Sequence, residues 1–259
     1  MWSCDVKGLC PYPGREFCGL GNTGPKFRSY HIADEEKGKR REECYLQHII
    51  LCCDEWMIYR RKFIGSIVRR FAALCDLEID DSLINCLEKA LKIAIVHHDV
   101  GKLSEEYQNG EWYRHEIIGA HVIYNMLFDY LTDEPYKDLL CALISAAVYL
   151  HHEAIQIAHK WFKLRSPTFE YLNSKIGPLS FTFDDIALQA FEAINEFSEL
   201  NIRWRLLKII GGKEIVRTIS DIISLVDGMP RVNAARLCLA SVVLLLNEVD
   251  NRAAERGRM

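Results

Sequence analysis

His97, His98 and Asp99 stand together in IVHHDVGKLSEEYQ, residues 95–108, where an apolar segment gives way to a polar one. Imidazole nitrogen and carboxylate oxygen are the donors that divalent transition metals take. One such group says little, so the test is whether several can converge on one point. The nine histidines are unevenly placed: His115 and His121 follow within one further helical pattern, and His151 and His152 end another. Adjacent helical residues diverge by about 100°. His97 and His98 therefore cannot both face one site in a regular helix, and one of the pair is structural. Asp99 can join His98 only if the helix ends there, which Gly101 allows by loosening the backbone just beyond it.

The elements that must position these groups are helices. From Glu42 onward, apolar residues recur at three- and four-residue spacing between short breaks. This predicts helices near 42–75, 82–98, 115–131, 136–151, 184–200, 202–210, 213–226 and 231–254. Asp81 or Ser82 can cap the second and Asp184 the fifth, while Gly211-Gly212 and Gly228-Met229-Pro230 read as stops. No alternating strand series stands out. A short hairpin or irregular loop is expected over Pro167 to Thr182, which is aromatic and punctuated by glycine and proline.

Residues 1–35 form a loop-rich extension holding five of the fifteen glycines and three of the seven prolines. Its Cys4, Cys10 and Cys18, even with His31, lack the paired C-x2-C spacing of structural zinc sites, so a disulfide or free thiols fit better. Cys52, Cys53, Cys75, Cys86, Cys141 and Cys238 lie within apolar helical patterns and read as core thiols.

At 259 residues, 49% of them hydrophobic, the chain can bury a sizeable core, and disorder is excluded. A net charge of -4 excludes a protein basic all over, so any nucleic-acid contact must be local. Met1 to Lys26 contains no continuous apolar core of a secretory signal. The run Leu237 to Leu246 is shorter than the roughly 20 residues that span a bilayer. A cytoplasmic protein with no membrane partner is the expectation.

In order along the chain come His48, His98-Asp99, His115, His151-His152 and Asp250. That order resembles the HD superfamily of metal-dependent phosphohydrolases. The segments HHDVGKLSEEYQ, RHEIIGAH, YLHHEA and LLLNEVDNRAA narrow it: they resemble the HD nuclease of type I CRISPR interference, above all the stand-alone HD subunit whose helicase is a separate chain. The resemblance covers roughly residues 42–254. It implies an all-α fold, a single HD-domain helical bundle over 36–259. It further implies that His48, His98, Asp99 and Asp250 hold one metal, that Asp99, His115, His151 and His152 hold a second, and that Asp99 bridges them. A bridging carboxylate can keep two ions about 3.5–4 Å apart over a scissile phosphodiester. Lys102 resembles the family's HDxGK lysine and would neutralise charge on the phosphate or leaving oxygen. Asp99→Ala should then abolish cleavage while the fold survives.

The mixed imidazole and carboxylate set suits manganese, iron, cobalt, nickel or zinc better than an all-oxygen site would, with magnesium a further option. His31, His97, His121 and His159 are structural on this reading. The implied activity is cleavage of DNA, preferentially single-stranded, by endonuclease action with exonuclease action a further option, alongside a helicase subunit and a CRISPR effector complex. The chain has no G-x-x-x-x-G-K-[ST] loop, so a duplex would have to be opened by a partner. Basic clusters that could approach DNA are Lys37-Gly38-Lys39-Arg40-Arg41, Arg60-Arg61-Lys62, Arg69-Arg70 and Arg203-Trp204-Arg205, each equally readable as a solvated face. Trp204 between two arginines is the mixture that stacks single strands. The alternatives are an HD phosphohydrolase acting on nucleotides or cyclic nucleotides, which the missing GYP after Lys102 disfavours, and a noncatalytic helical protein using metal for stability.

Overall fold

The computed structural model describes residues 27–34, 39–111, 114–131, 134–152, 167–200, 202–229 and 231–258. Cys4, Cys10, Cys18, His159 and Lys37-Gly38 lie outside them, and no side chain is described over 30–42.

The described chain is helical, as the periodicity predicts. Helix α1 (Tyr45–Cys75) packs along its length against α9 (Val232–Arg258) and also against α2 (Asp81–His97). Helix α5 (Lys137–Leu150) runs through the middle, with every residue from Leu140 to Leu150 buried. It packs on α4 (His115–Tyr130), on α8 (Gly212–Asp227) and on α9. In α9, Ala235, Leu239, Val242, Leu246, Val249 and Ala253 form a buried stripe, spaced by three and four residues, with Cys238 buried beside it. That helix is long and apolar enough to cross a membrane by length and composition, and half of the qualifying stretch is buried against its neighbours.

Capping residues explain several boundaries. Asp80, one position before the expected cap, accepts from Leu83 N at 2.7 Å and starts α2. Asp184 does the same for α7 (Asp185–Phe197), accepting from Ala187 N at 2.7 Å. The Gly211-Gly212 pair starts α8 instead of ending a helix. Gly212 is needed there because a Cβ would collide with the Ile176 carbonyl.

Three local readings are corrected. Pro167–Lys175 is a helix, α6, and the expected hairpin is replaced by β3 (Ser180–Thr182) pairing antiparallel with the distant β4 (Ile209–Gly211). The helix expected over 202–210 does not form, because Ile209–Gly211 is taken up by that pairing. Strands also occur near the N-terminus: β1 (Arg28–Asp34) pairs antiparallel with β2 (Lys39–Cys44), which runs directly into α1. Strand β1 lies in the stretch read as extension, yet Phe27 beside it is buried in the core.

His97 and His121 hold the body together. His97 has no exposure, bonds Asn195 Oδ1 through Nε2 at 2.8 Å and lies 4.8 Å from the Phe191 ring. His121 joins α4 to α8 through Thr218 Oγ1 at 2.9 Å. Burial pulls the His121 imidazole down to about 4, with Arg217 adding to the effect and Glu214 opposing it. Unfolded, the same ring protonates near pH 6.5, so its contribution to stability is complete above about 6.5 and is lost as pH falls toward about 4. His121→Gln cannot take up that proton. Its melting temperature should fall less than the parent's between about pH 7 and about pH 5, as followed by circular dichroism.

Candidate metal centre

Helix α2 ends at His97, with His98 as its C-cap and Asp99 at φ -98°, ψ 7° opening a 3-10 turn over Val100–Leu103. This bridge-region backbone turns the Asp99 side chain away from the helix path and beside that of His98. His48 comes from the first turns of α1, His115 from the first residue of α4, His151 and His152 from the end of α5, and Asp250 from α9. The separated candidates His48, His98, Asp99, Lys102, His115, His151, His152 and Asp250 thus meet at one place.

Donor atoms fall into two groups. His48, His98 and Asp250, together with Cys52, put one atom each within 4.8 Å of one another, and Asp99, His115, His151 and His152 do the same. In the first, His48 Nε2 is 2.9 Å and His98 Nε2 3.5 Å from Asp250 Oδ1. In the second, Asp99 Oδ1 is 2.9 Å from His115 Nε2 and 3.9 Å from His151 Nε2, while His152 Nε2 is 2.9 Å from His115 Nε2. The other oxygen, Asp99 Oδ2, faces the first group, 3.4 Å from His48 Nε2 and 3.6 Å from His98 Nε2. The Asp99 carboxylate therefore lies between the groups.

Hydrogen bonding sets the tautomers. His98 Nδ1 lies 2.8 Å from the Ile95 carbonyl and His151 Nδ1 2.5 Å from that of Val148. A carbonyl only accepts, so each Nδ1 carries the proton and each Nε2 turns a lone pair to the site. His48 Nδ1 is likewise 3.3 Å from the buried Glu43 carboxylate. The buried Nε2 atoms of His98 and His151 have no hydrogen-bond partner among the described residues. Orphaned, inward-facing nitrogens with their opposite ring nitrogen tied down are the arrangement of metal-binding histidines, so the residues present fit divalent metal.

The charge balance agrees with the geometry. Burial favours the neutral acid at Asp99, but the neighbouring His98, Lys102 and His115 side chains hold its carboxyl well below the usual range. Burial opposes charge on Lys102 too, and Asp99 Oδ2 at 2.6 Å more than restores it. Burial likewise works against an ionised Asp250, which His48 at 2.9 Å and the nearby His98 keep well below the ordinary value. At His151 and His152 burial favours the neutral ring, reinforced at His151 by His152 and at His152 by His115.

A Cas3-HD CRISPR-associated endonuclease from Pyrococcus furiosus is 35% identical over 117 residues, 42% of this chain and 46% of that protein. Another from Methanocaldococcus jannaschii is 27% identical over 124 residues, 44% of this chain and 47% of that protein. The chain is a relative of the Cas3-HD proteins. The alignments span about half the length of the curated relatives. The solved Cas3 HD domain protein from Methanocaldococcus jannaschii has the same fold, with a TM-score of 0.54 at 19% identity over 77% of this chain and 92% of that one. No family model matches the sequence.

Around these donors the structure adds partners that spacing did not reveal. Ser29 Oγ, in the stretch read as extension, accepts from Lys102 Nζ at 3.3 Å. Gln108 holds the same turn, donating to the Lys102 carbonyl at 2.5 Å and to that of Arg28 at 3.3 Å. Glu43 carried no signal, since it precedes its helix; Cys52 did, one helical turn after His48. Trp204 is half-buried and packs edge-on against Phe191 at 5.9 Å, which makes it part of the core's rim and not a free stacking platform.

Gly101 also has a different reason from the one expected. A Cβ there would strike the His115 backbone, and one on Gly119 would strike the His98 carbonyl, so both glycines let α4 close onto the Asp99 turn. Gly119→Ala should cost about 1–3 kcal/mol in denaturant unfolding. Gly65→Ala, where the new methyl meets only the Arg69 side chain at 3.5 Å, should instead stabilise α1 by up to about 1 kcal/mol.

Proposed function

We propose that the chain is a metal-dependent nuclease that cleaves DNA, single strands in preference, and that it acts in the cytoplasm in CRISPR defence; its relatives' names, CRISPR-associated endonucleases, support the reading. The observation that carries this reading is the Asp99 carboxylate, with one oxygen toward each donor group. Two divalent ions bound there would lower the pKa of a bound water and stabilise charge on the phosphoryl oxygens. His48, His98 and Asp250 would hold one, and His115, His151 and His152 the other, with Asp99 shared. The chain's own work is to present ring nitrogens already oriented by Ile95, Val148 and Glu43, so that little reorganisation of the side chains accompanies binding. Lys102 keeps Asp99 ionised and adds positive charge beside the reacting phosphate.

Exposed Arg61, Lys62 and Arg69 on α1 and Arg203 and Arg205 before β4 are cations that could guide a strand. A separate helicase subunit and effector complex would deliver that strand.

The test is incubation of the purified chain with manganese and circular single-stranded DNA. Cleavage is expected, and nucleotide turnover without DNA cleavage would move the assignment to a nucleotide phosphohydrolase.

Asp99→Ala should abolish cleavage, but it also strands the buried Lys102 ammonium, at a cost of about 3–5 kcal/mol. Asp99→Asn also removes the charge but keeps the shape and an amide oxygen able to accept from Lys102, which makes it the better probe. It should lose cleavage while circular dichroism reports a folded chain, and wild-type cleavage by it would sink the shared-ligand assignment.

A further inference from the structure

Cys52 has no solvent exposure and stands one helical turn after His48, with Sγ 3.5 Å from His48 Nε2. It faces the histidines, and its sulfur belongs to the same compact group of donor atoms as His98 and Asp250. Ligand atoms around a small divalent ion lie roughly 3–4 Å apart, given bonds of about 2.0–2.3 Å to nitrogen, oxygen and sulfur. The spacings here are of that size: 2.9 Å from His48 Nε2 to Asp250, 3.5 Å from His98 Nε2 to Asp250 and 3.5 Å from His48 Nε2 to Cys52. Asp99 Oδ2, which faces the same group, is also in an ion pair with Lys102 at 2.6 Å, so a further anionic donor beside it is of use. The unpartnered, 2% exposed His98 Nε2 points into the same space.

We propose that Cys52 is a thiolate ligand of the ion held by His48, His98 and Asp250, which makes the two metal positions chemically unequal. One offers two nitrogens and a sulfur beside the oxygens of Asp250 and the shared Asp99, and favours a thiophilic ion such as zinc, ferrous iron or cobalt. The other offers nitrogen and oxygen only, with the exposed His152 at its edge, and accepts manganese as readily. On binding, the S–H bond breaks, a sulfur–metal bond forms and the proton leaves to solvent. The inference rests on the metal-centre reading above and adds to it a ligand of different chemistry.

Cobalt(II) added stepwise to the reduced, chelator-stripped full chain separates the two. The parent should develop visible ligand-field bands together with a thiolate-to-cobalt charge-transfer band in the near ultraviolet. Cys52→Ser should lose the charge-transfer band and keep the ligand-field bands, while Cys53→Ser keeps both. Ligand-field bands without charge transfer in the parent, or charge transfer persisting in Cys52→Ser, overturn the thiolate assignment and leave the metal centre standing. No cobalt bound by the folded parent overturns both. Should Cys52→Ser fail to fold, X-ray absorption of the cobalt-loaded parent decides: a sulfur shell at about 2.3 Å is expected, and a shell of nitrogen and oxygen alone overturns the proposal.

Discussion

Everything around the centre depends on keeping a negative charge at Asp99, a side chain with no solvent exposure. Taking a carboxylate out of water costs several kcal/mol, and good geometry with close opposite charge must offset it. Lys102 provides that at 2.6 Å, and the 3-10 turn sets the two residues three apart so that they meet. Lys102 is itself buried and would be equally costly alone. The pair is in turn held from outside by Ser29 and Gln108, which ties the N-terminal hairpin to the turn.

Most of the remaining donors reach Asp99 from helix ends, while Asp250 comes from the face of α9. His115 opens α4, His98 caps α2, and His151 and His152 lie where α5 finishes. At a C-terminus the last carbonyls lack their regular intrahelical partners, so Ile95 and Val148 can accept the Nδ1 protons of His98 and His151, Val148 alongside the His151 N–H. The orientation of each imidazole thus follows from ordinary helix termination. Gly101 and Gly119 complete the arrangement by letting backbone approach backbone where any Cβ would stand in the way.

Much of this was legible in the chain. Three- and four-residue periodicity locates the long helices to within a few residues, because each must bury one stripe against the others. The ordered histidines and aspartates were visible as candidates, and the angular argument that splits His97 from His98 holds in space: His97 lies against Phe191 and Asn195, and His98 faces Asp250. Where periodicity was short the reading failed. Residues 202–210 carry a brief helical pattern, but Ile209–Gly211 pairs with Ser180–Thr182, a contact that local spacing cannot encode.

By itself the sequence determined the helical architecture and the termination of α2 at the His98-Asp99 pair, since both follow from local period and capping, while His48, His115, His151, His152 and Asp250 stood out as candidates through the order they share with a known family. Only the tertiary structure decided which oxygen of Asp99 faces which histidines, that Glu43 steadies His48, and that Cys52 belongs with the donors and not simply with the core. Those are contacts across loops and between helices. Their geometry comes from packing, and a linear pattern carries no record of it.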